Sequence, residues 1–313
     1  MRAARFYAPG DLRIEEVPDP KPGPGDVLVQ VEVALTDGTD LKTFRRGHPL
    51  LLAETPSPFG HEFSGVDVAT GKRVVAANSA PCGACPQCAR GRATLCDNLL
   101  PLLNGAYAEL LVVPERIARV NLHPVPAGLA PEVAALVEPL ACALHAVDTI
   151  EAQDQNVAVL GPGPMGMLLC ACLKDVGAGT TIVTGGSAER RALATRFGAE
   201  PGDAQDADVV IDATGTPEGW QDAVRAVRKG GTVVLFSGIP NGVELDAQRI
   251  HYEELTLKGV FHHTPQTVRA ALAFLASGAY PWHTLLTHEI GLEGLPALFA
   301  EPPDGYVKAI VRP

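Results

Sequence analysis

The chain has 313 residues and a mass of 32.8 kDa, with 46% hydrophobic and 19% charged residues, enough apolar material for one large core or, as the length favours, two moderate ones. A formal net charge of −11 and a pI near 5.3 exclude the basic footprint that binds nucleic acid or an anionic membrane surface. The opening MRAARFYAPGDLRIEEV lacks an apolar signal-type stretch and no later apolar run approaches bilayer length, so the sequence predicts a cytoplasmic protein.

Residues 1 to about 125 read as short strands between Gly and Pro turns. DVLVQVEVAL, KRVVAA and AYAELLVVP are rich in β-formers, and PDPKPGPG is a rigid connector. From about Ala130 the spacing in PEVAALVEPLACALHAV is helical, and strands then alternate with helices. NVAVLG, TTIVTG, DVVIDATG, GGTVVLFSG and LTLKGVF are continuous apolar runs, expected to be strands buried on both faces. MGMLLCACLKDVG, AERRALATRFG and GWQDAVRAVRKG lie between them, helical in period and closed by Gly. The pattern predicts a doubly wound parallel sheet, followed by a return to β character after residue 280 that ends in YVKAIVRP.

Three constellations carry chemistry. Four of the seven cysteines, Cys82, Cys85, Cys88 and Cys96, crowd into PCGACPQCARGRATLC, where four thiolates can close tetrahedrally on a structural Zn²⁺. Cys142, Cys170 and Cys172 stand in Ala/Leu-rich runs and read as buried thiols. In VAVLGPGPMG, Gly161, Gly163 and Gly166 form G-x-G-x-x-G between a strand and a helix, the turn that lets a dinucleotide pyrophosphate approach the backbone, with Pro164 and Met165 inside it. Thr214, closing DVVIDAT, is taken as a further coenzyme contact. The acidic residue expected to hold a ribose 2′-hydroxyl after TTIVT is missing; Gly185 and Gly186 stand there, followed by Ser187, Arg190 and Arg191, which favours NADP(H) over NAD(H). The third constellation is dispersed: Asp37 in ALTDGTDLK, His61 and Glu62 in GHEFSG, and Glu138 in VEPLACALHA.

Together these segments resemble the zinc-dependent medium-chain alcohol/polyol dehydrogenases, in their sorbitol/sugar dehydrogenase-like branch, from one end of the chain to the other. DGTDLK is similar to the family's C-G-[ST]-D segment, GHEFSG to its G-H-E segment, the four-cysteine lobe to its structural zinc loop, EPLACALHA to the sorbitol dehydrogenase branch, and GPGPMG to its coenzyme turn. The resemblance implies an α/β fold: a GroES-like β-barrel-type catalytic domain over residues 1–142, with its zinc lobe at about 78–98, a Rossmann coenzyme domain over 143–279, and a return to the first domain over 280–313. It implies hydride transfer between NAD(P)(H) and a secondary alcohol or ketone, with a metal polarising the substrate oxygen. By position, Asp37 replaces the family's cysteine ligand, His61 is the imidazole ligand, and Glu62 and Glu138 are the carboxylates near the metal. Thr39 is the hydroxyl that relays the substrate proton, with Lys42 where that relay often has a histidine.

Asp37 is the departure. Carboxylate oxygen is an acceptable zinc ligand and keeps the charge of a thiolate, while making the site harder and more open to Mn²⁺, Co²⁺ or Fe²⁺. The branch points to a polyol, sugar or cyclitol substrate, and the family to a homodimer or homotetramer without nucleic-acid or membrane partners. Two other functions fit the same residues: a reductase of quinones or enones with only the structural zinc, and a non-catalytic dinucleotide-binding protein.

Overall fold

The computed structural model describes residues 1–48, 52 and 54–313. It divides into two compact units, residues 1–141 with 264–313, and residues 142–263.

The spine of the first unit is the strand Val27–Leu35, which pairs antiparallel with Glu62–Asp67, Leu110–Val113 and Lys308–Arg312. Its side chains alternate between buried and exposed over the first residues and are continuously buried by Val33, so the strand passes from surface to interior as it approaches Thr36 and Asp37. The sheet runs Leu286–Gly291, Lys308–Arg312, Val27–Leu35, Glu62–Asp67, Arg73–Ala76, Leu122–Pro124. A smaller sheet joins Asp11–Glu16, Arg2–Ala8 and Ser57–Pro58. Leu35 is paired with Glu62 on one side and Ile310 on the other, so three strands remote in sequence bring Asp37, Glu62 and Lys308 to one end of the sheet. Beneath them Phe6, Phe59, Tyr107 and Phe299 form an aromatic cluster with ring centroids 5.7–6.2 Å apart.

The second unit is a six-stranded, wholly parallel sheet in the order Glu200–Pro201, Thr181–Thr184, Val157–Leu160, Ala207–Asp212, Val227–Leu235, Thr256–Gly259. The first strand in sequence, Val157–Leu160, lies in the middle, and the order in which strands are added reverses beside it, the switch point at which such sheets bind ligands. Its VAVL is buried at every position, as a strand covered on both faces must be.

The α/β expectation holds, with three differences in detail. The two-residue strand Glu200–Pro201 has no apolar run to announce it. Thr256–Gly259 is a half-exposed edge strand and not one buried on both faces, because it has a neighbour in this sheet on one side only. The helix Pro265–Ala276, placed by the sequence with the coenzyme domain up to residue 279, belongs to the first unit, where its apolar stripe packs against the helices Glu115–Asn121 and Pro131–Ala134. Among the described residues no helix is long and apolar enough to cross a membrane.

Candidate functional site

In the cysteine lobe, the Sγ atoms of Cys82, Cys85, Cys88 and Cys96 all lie within 4.8 Å of one another. Cys85 and Cys96 are 3.9 Å apart, close to the roughly 3.8 Å edge of a tetrahedron with zinc–sulfur bonds of about 2.3 Å. Backbone amides point at the sulfurs: Cys82 N–H at Cys96 (3.3 Å), Cys85 N–H at Cys82 (3.4 Å), Asp97 N–H at Cys85 (3.4 Å) and Asn98 N–H at Cys96 (3.4 Å). That is a cradle for thiolates, and the Asn98 side-chain amide with the amides of Ala84 and Cys85 draws the Cys82 thiol down to about 6. None of the four is in a disulfide. These donors fit a structural zinc. Burial pushes Cys170 up to about 12 and Cys172 well above its ordinary value, so both are inert, whereas Cys142 is only half-buried, contrary to the sequence expectation.

Asp37, His61 and Glu62 form a second cluster, with one ligand atom of each within 4.8 Å of the others. Asp37 is first of all an N-cap. Its Oδ1 accepts from the Asp40 amide at 2.8 Å and opens the helix Gly38–Arg46, while the Asp37 amide donates to Asp40 Oδ2 at 3.3 Å, completing a capping box. Its other oxygen, Oδ2, faces His61 Nε2 at 4.0 Å. Behind the imidazole, Nδ1 meets Asp40 Oδ1 at 3.2 Å. Such a carboxylate behind a histidine fixes its tautomer and ring direction and leaves Nε2 for a metal. Glu62 presents both oxygens to Lys308 Nζ, at 2.7 and 2.8 Å, and neither side chain reaches solvent. Thr39 lies half-buried in the first turn of the capped helix, where its amide supports the Asp37 carboxylate.

Acidic groups crowd here. Asp37 (9% exposed), Asp40 (1%), Glu62 (0%) and Glu138 (6%) bring four carboxyl groups into the interior around His61 (5%) and Lys308 (0%). Buried charge is tolerated only when paired. Burial pushes the Glu62 carboxyl well up, with Lys308 opposing and Asp37 and Glu138 reinforcing. Burial presses the His61 imidazole downward, but Asp40, Asp37 and Glu138 reverse this and hold it well above its ordinary value. Burial likewise opposes ionisation of Asp37, yet His61, Lys308 and two amides keep its carboxyl low. A divalent cation suits so many neighbouring carboxyl groups, and Asp37 Oδ2 with the Nε2 of a neutral His61 are donors that fit a metal. Glu138 acts on His61 and Glu62 through its charge, outside the three-residue cluster.

In the second unit, Gly161 leaves the strand Val157–Leu160 at φ +102°, and a side chain at Gly166 would place its Cβ 2.0 Å from the Gly161 carbonyl oxygen. Gly163, the N-cap of the helix Pro164–Asp175, is under no such constraint: a Cβ there meets nothing within 4 Å. Open space beside the uncapped first amides of this helix, whose first turn holds Pro164 and Met165, suits a pyrophosphate. Thr214 borders this turn, 3.2 Å from where a Gly161 side chain would begin, and is held by Asp212 Oδ1 through its hydroxyl at 2.6 Å. At the tip of Thr181–Thr184, Gly185 and Gly186 turn with φ +81° and +57°. Arg191 donates to both their carbonyls, at 3.0 and 2.7 Å, and Ser187 Oγ caps the next helix by accepting from the Arg190 amide at 3.3 Å.

The chain matches two family models, the alcohol dehydrogenase GroES-like domain over residues 23–127 and the zinc-binding dehydrogenase domain over residues 164–277. It belongs to the zinc-dependent medium-chain dehydrogenase family. A Sinorhizobium meliloti 1021 protein assigned to the zinc-binding dehydrogenases and solved bound to NADP is 32% identical, with a TM-score of 0.88, the alignment covering 100% of this chain and 99% of that one. The 2R,3R-butanediol dehydrogenase of Bacillus subtilis is 28% identical with a TM-score of 0.86, covering 100% and 99%. The L-threonine 3-dehydrogenase of Xanthomonas oryzae pv. oryzae is 28% identical over 308 residues, 90% of this chain and 89% of its own.

For this dehydrogenase the structure also brings in residues that sequence reasoning passed over: Asp40, Lys308, Tyr107, and the pair Thr36 and Tyr306, whose hydroxyls meet at 2.7 Å. Asp40 had a local signal, since Asp37-x-x-Asp40 ahead of a helix reads as a capping box. Lys308 and Tyr107 had none, because their partners lie far away in sequence.

Proposed function

We propose that the chain is an NADP(H)-dependent dehydrogenase that interconverts a secondary alcohol and its ketone on a polyol, sugar or cyclitol, with a divalent cation held by Asp37 and His61. The observation behind this reading is that Asp37 Oδ2 and His61 Nε2 face each other at 4.0 Å, both residues held by Asp40, among buried carboxyl groups. When bound, such a cation supplies Lewis acidity that lowers the pKa of a substrate hydroxyl. The protein's part is to hold His61 through Asp40, to fix Asp37 by capping, and to keep Glu62 on Lys308 as balancing charge. Thr39, beside the Asp37 cap, takes the substrate proton. Glu138 adds a carboxylate near the centre, suited to a second hydroxyl beside the reacting carbon. Butanediol and threonine, named for two relatives, each carry a polar group vicinal to a hydroxyl, which supports that class.

The missing carboxylate after Thr184, together with Ser187, Arg190 and Arg191, supports a 2′-phosphate and hence NADP(H). The assembly proposed is a homodimer or homotetramer, tested by light scattering after size exclusion. The central test is metal analysis of protein purified without added metal, with turnover measured on alcohols, polyols and sugars with both coenzymes. Two metals per chain and polyol turnover lost in Asp37→Ala support the reading; one metal and unchanged turnover in that variant defeat it.

One observation favours a second reading, a quinone or enone reductase with zinc only in the cysteine lobe. Asp37 Oδ1 and both Glu62 oxygens already have protein partners. Chelator-insensitive NADPH oxidation by enones would select it.

A further inference from the structure

Tyr107 is completely buried, and its phenol is in a setting where a phenylalanine would serve packing equally well. The ring fills the aromatic cluster, with centroids 5.9 Å from Phe59 and 6.2 Å from Phe299, and none of that needs an oxygen. A buried hydroxyl costs free energy unless it finds a partner. This one lies between two acceptors, Asp40 Oδ2 and the Leu35 carbonyl at 3.0 Å; it has one proton to give, and the carboxylate is the stronger acceptor. Burial and the Asp40 charge push the phenol well above its ordinary value, so it keeps that proton.

The ring also touches the other arm of the site. Gly60, immediately before His61, sits at φ +87°, and a Cβ there would lie 2.6 Å from Tyr107 Cδ2. The surrounding backbone is laced to the same segment: Gly105 and Ala106 donate to the Gly60 carbonyl at 2.7 and 2.9 Å, and Tyr107 donates to that of Phe59 at 3.0 Å.

We propose that Tyr107 is a positioning residue for the Asp37–His61 metal site, its hydroxyl fixing the Asp40 carboxylate that orients both residues and its ring seating the glycine that delivers His61. The proposal rests on the reading that these two residues hold a divalent cation. Asp40 is the node: Oδ1 meets His61 Nδ1, Oδ2 accepts from the Asp37 amide, and the Asp40 amide donates to Asp37 Oδ1. Without the phenol, Oδ2 keeps only the Asp37 amide at 3.3 Å, and the carboxylate is free to turn away from His61. Losing an outer partner of a metal ligand typically weakens metal binding about 10–100-fold. For a hydroxyl one step further out, about tenfold is expected.

The test is Co²⁺ binding to the second site of the full chain, its cysteine lobe kept loaded with zinc, read by absorbance and chelator competition. Wild type is compared with Tyr107→Phe, Asp40→Asn, the double variant, and Tyr7→Phe as a surface control. Tyr107→Phe should bind Co²⁺ about tenfold more weakly, with dinucleotide affinity and lobe zinc unchanged. The double variant should be no weaker than Asp40→Asn, because the hydroxyl acts through that carboxylate. Wild-type affinity in Tyr107→Phe, or additive losses in the double variant, overturns the positioning role while the metal reading stands. Absence of a second site in wild type, or its persistence in Asp37→Ala and His61→Ala, overturns the metal reading and this role with it.

Discussion

The two metal-type clusters of the first unit solve opposite problems. The cysteine lobe takes all its thiols from one short stretch, Cys82 to Cys96, and steadies them with amides from that stretch and the two residues after it. The Asp37 cluster draws on two chain segments, adds a lysine 246 residues from Glu62, and buries four carboxyl groups close together. One is a local fold that gathers four thiols; the other is a carboxyl-rich cluster assembled by the tertiary structure. Residue spacing therefore decides the first, and strand pairing decides the second.

The comparison breaks most sharply at Asp37. Asn is as good an N-cap as Asp, so Asp37→Asn should leave stability within about 0.5 kcal/mol while removing the second metal and lowering turnover on the order of 1000-fold. A variant that loses stability and keeps its metal would show that capping is all Asp37 does. Next comes Lys308→Met, which strands Glu62 as a buried carboxylate and should cost about 3–5 kcal/mol in denaturant unfolding. Adding Glu62→Gln should recover much of that cost, and failure to recover it would mean that packing, not charge, sets the role of the lysine.

Cys96→Ser addresses the lobe. It should release one zinc and cost about 2 kcal/mol, roughly 5 °C in Tm, with the second metal retained; loss of both metals would show that the clusters are coupled. The smallest effect is expected in the second unit. Arg191→Ala frees the Gly185–Gly186 turn and should reduce the NADP over NAD preference in kcat/KM by about tenfold; an unchanged ratio would confine this guanidinium to structural work.

Much was legible in the sequence because it is local physics. The four cysteines, the G-x-G-x-x-G turn and the alternation of apolar strands with Gly-closed helices declare themselves within windows of a few residues. What stayed hidden depends on partners brought from afar. Lys308 sits in a strand whose pattern reveals only β character, Tyr107 looks like ordinary core, and the helix Pro265–Ala276 has a coenzyme-domain neighbour in sequence but first-unit neighbours in space.

The sequence by itself determined the architecture, the cysteine site and the dinucleotide turn, since each follows from residue spacing and backbone freedom along a continuous stretch. Only the tertiary structure decided that Asp37 caps a helix while facing His61, that Asp40 stands behind His61, and that Glu62 is held by a lysine from the last strand. Those relations arise because strand pairing around Val27–Leu35 buries charges that the linear chain keeps apart, and their energies depend on distance and desolvation, which no spacing rule records.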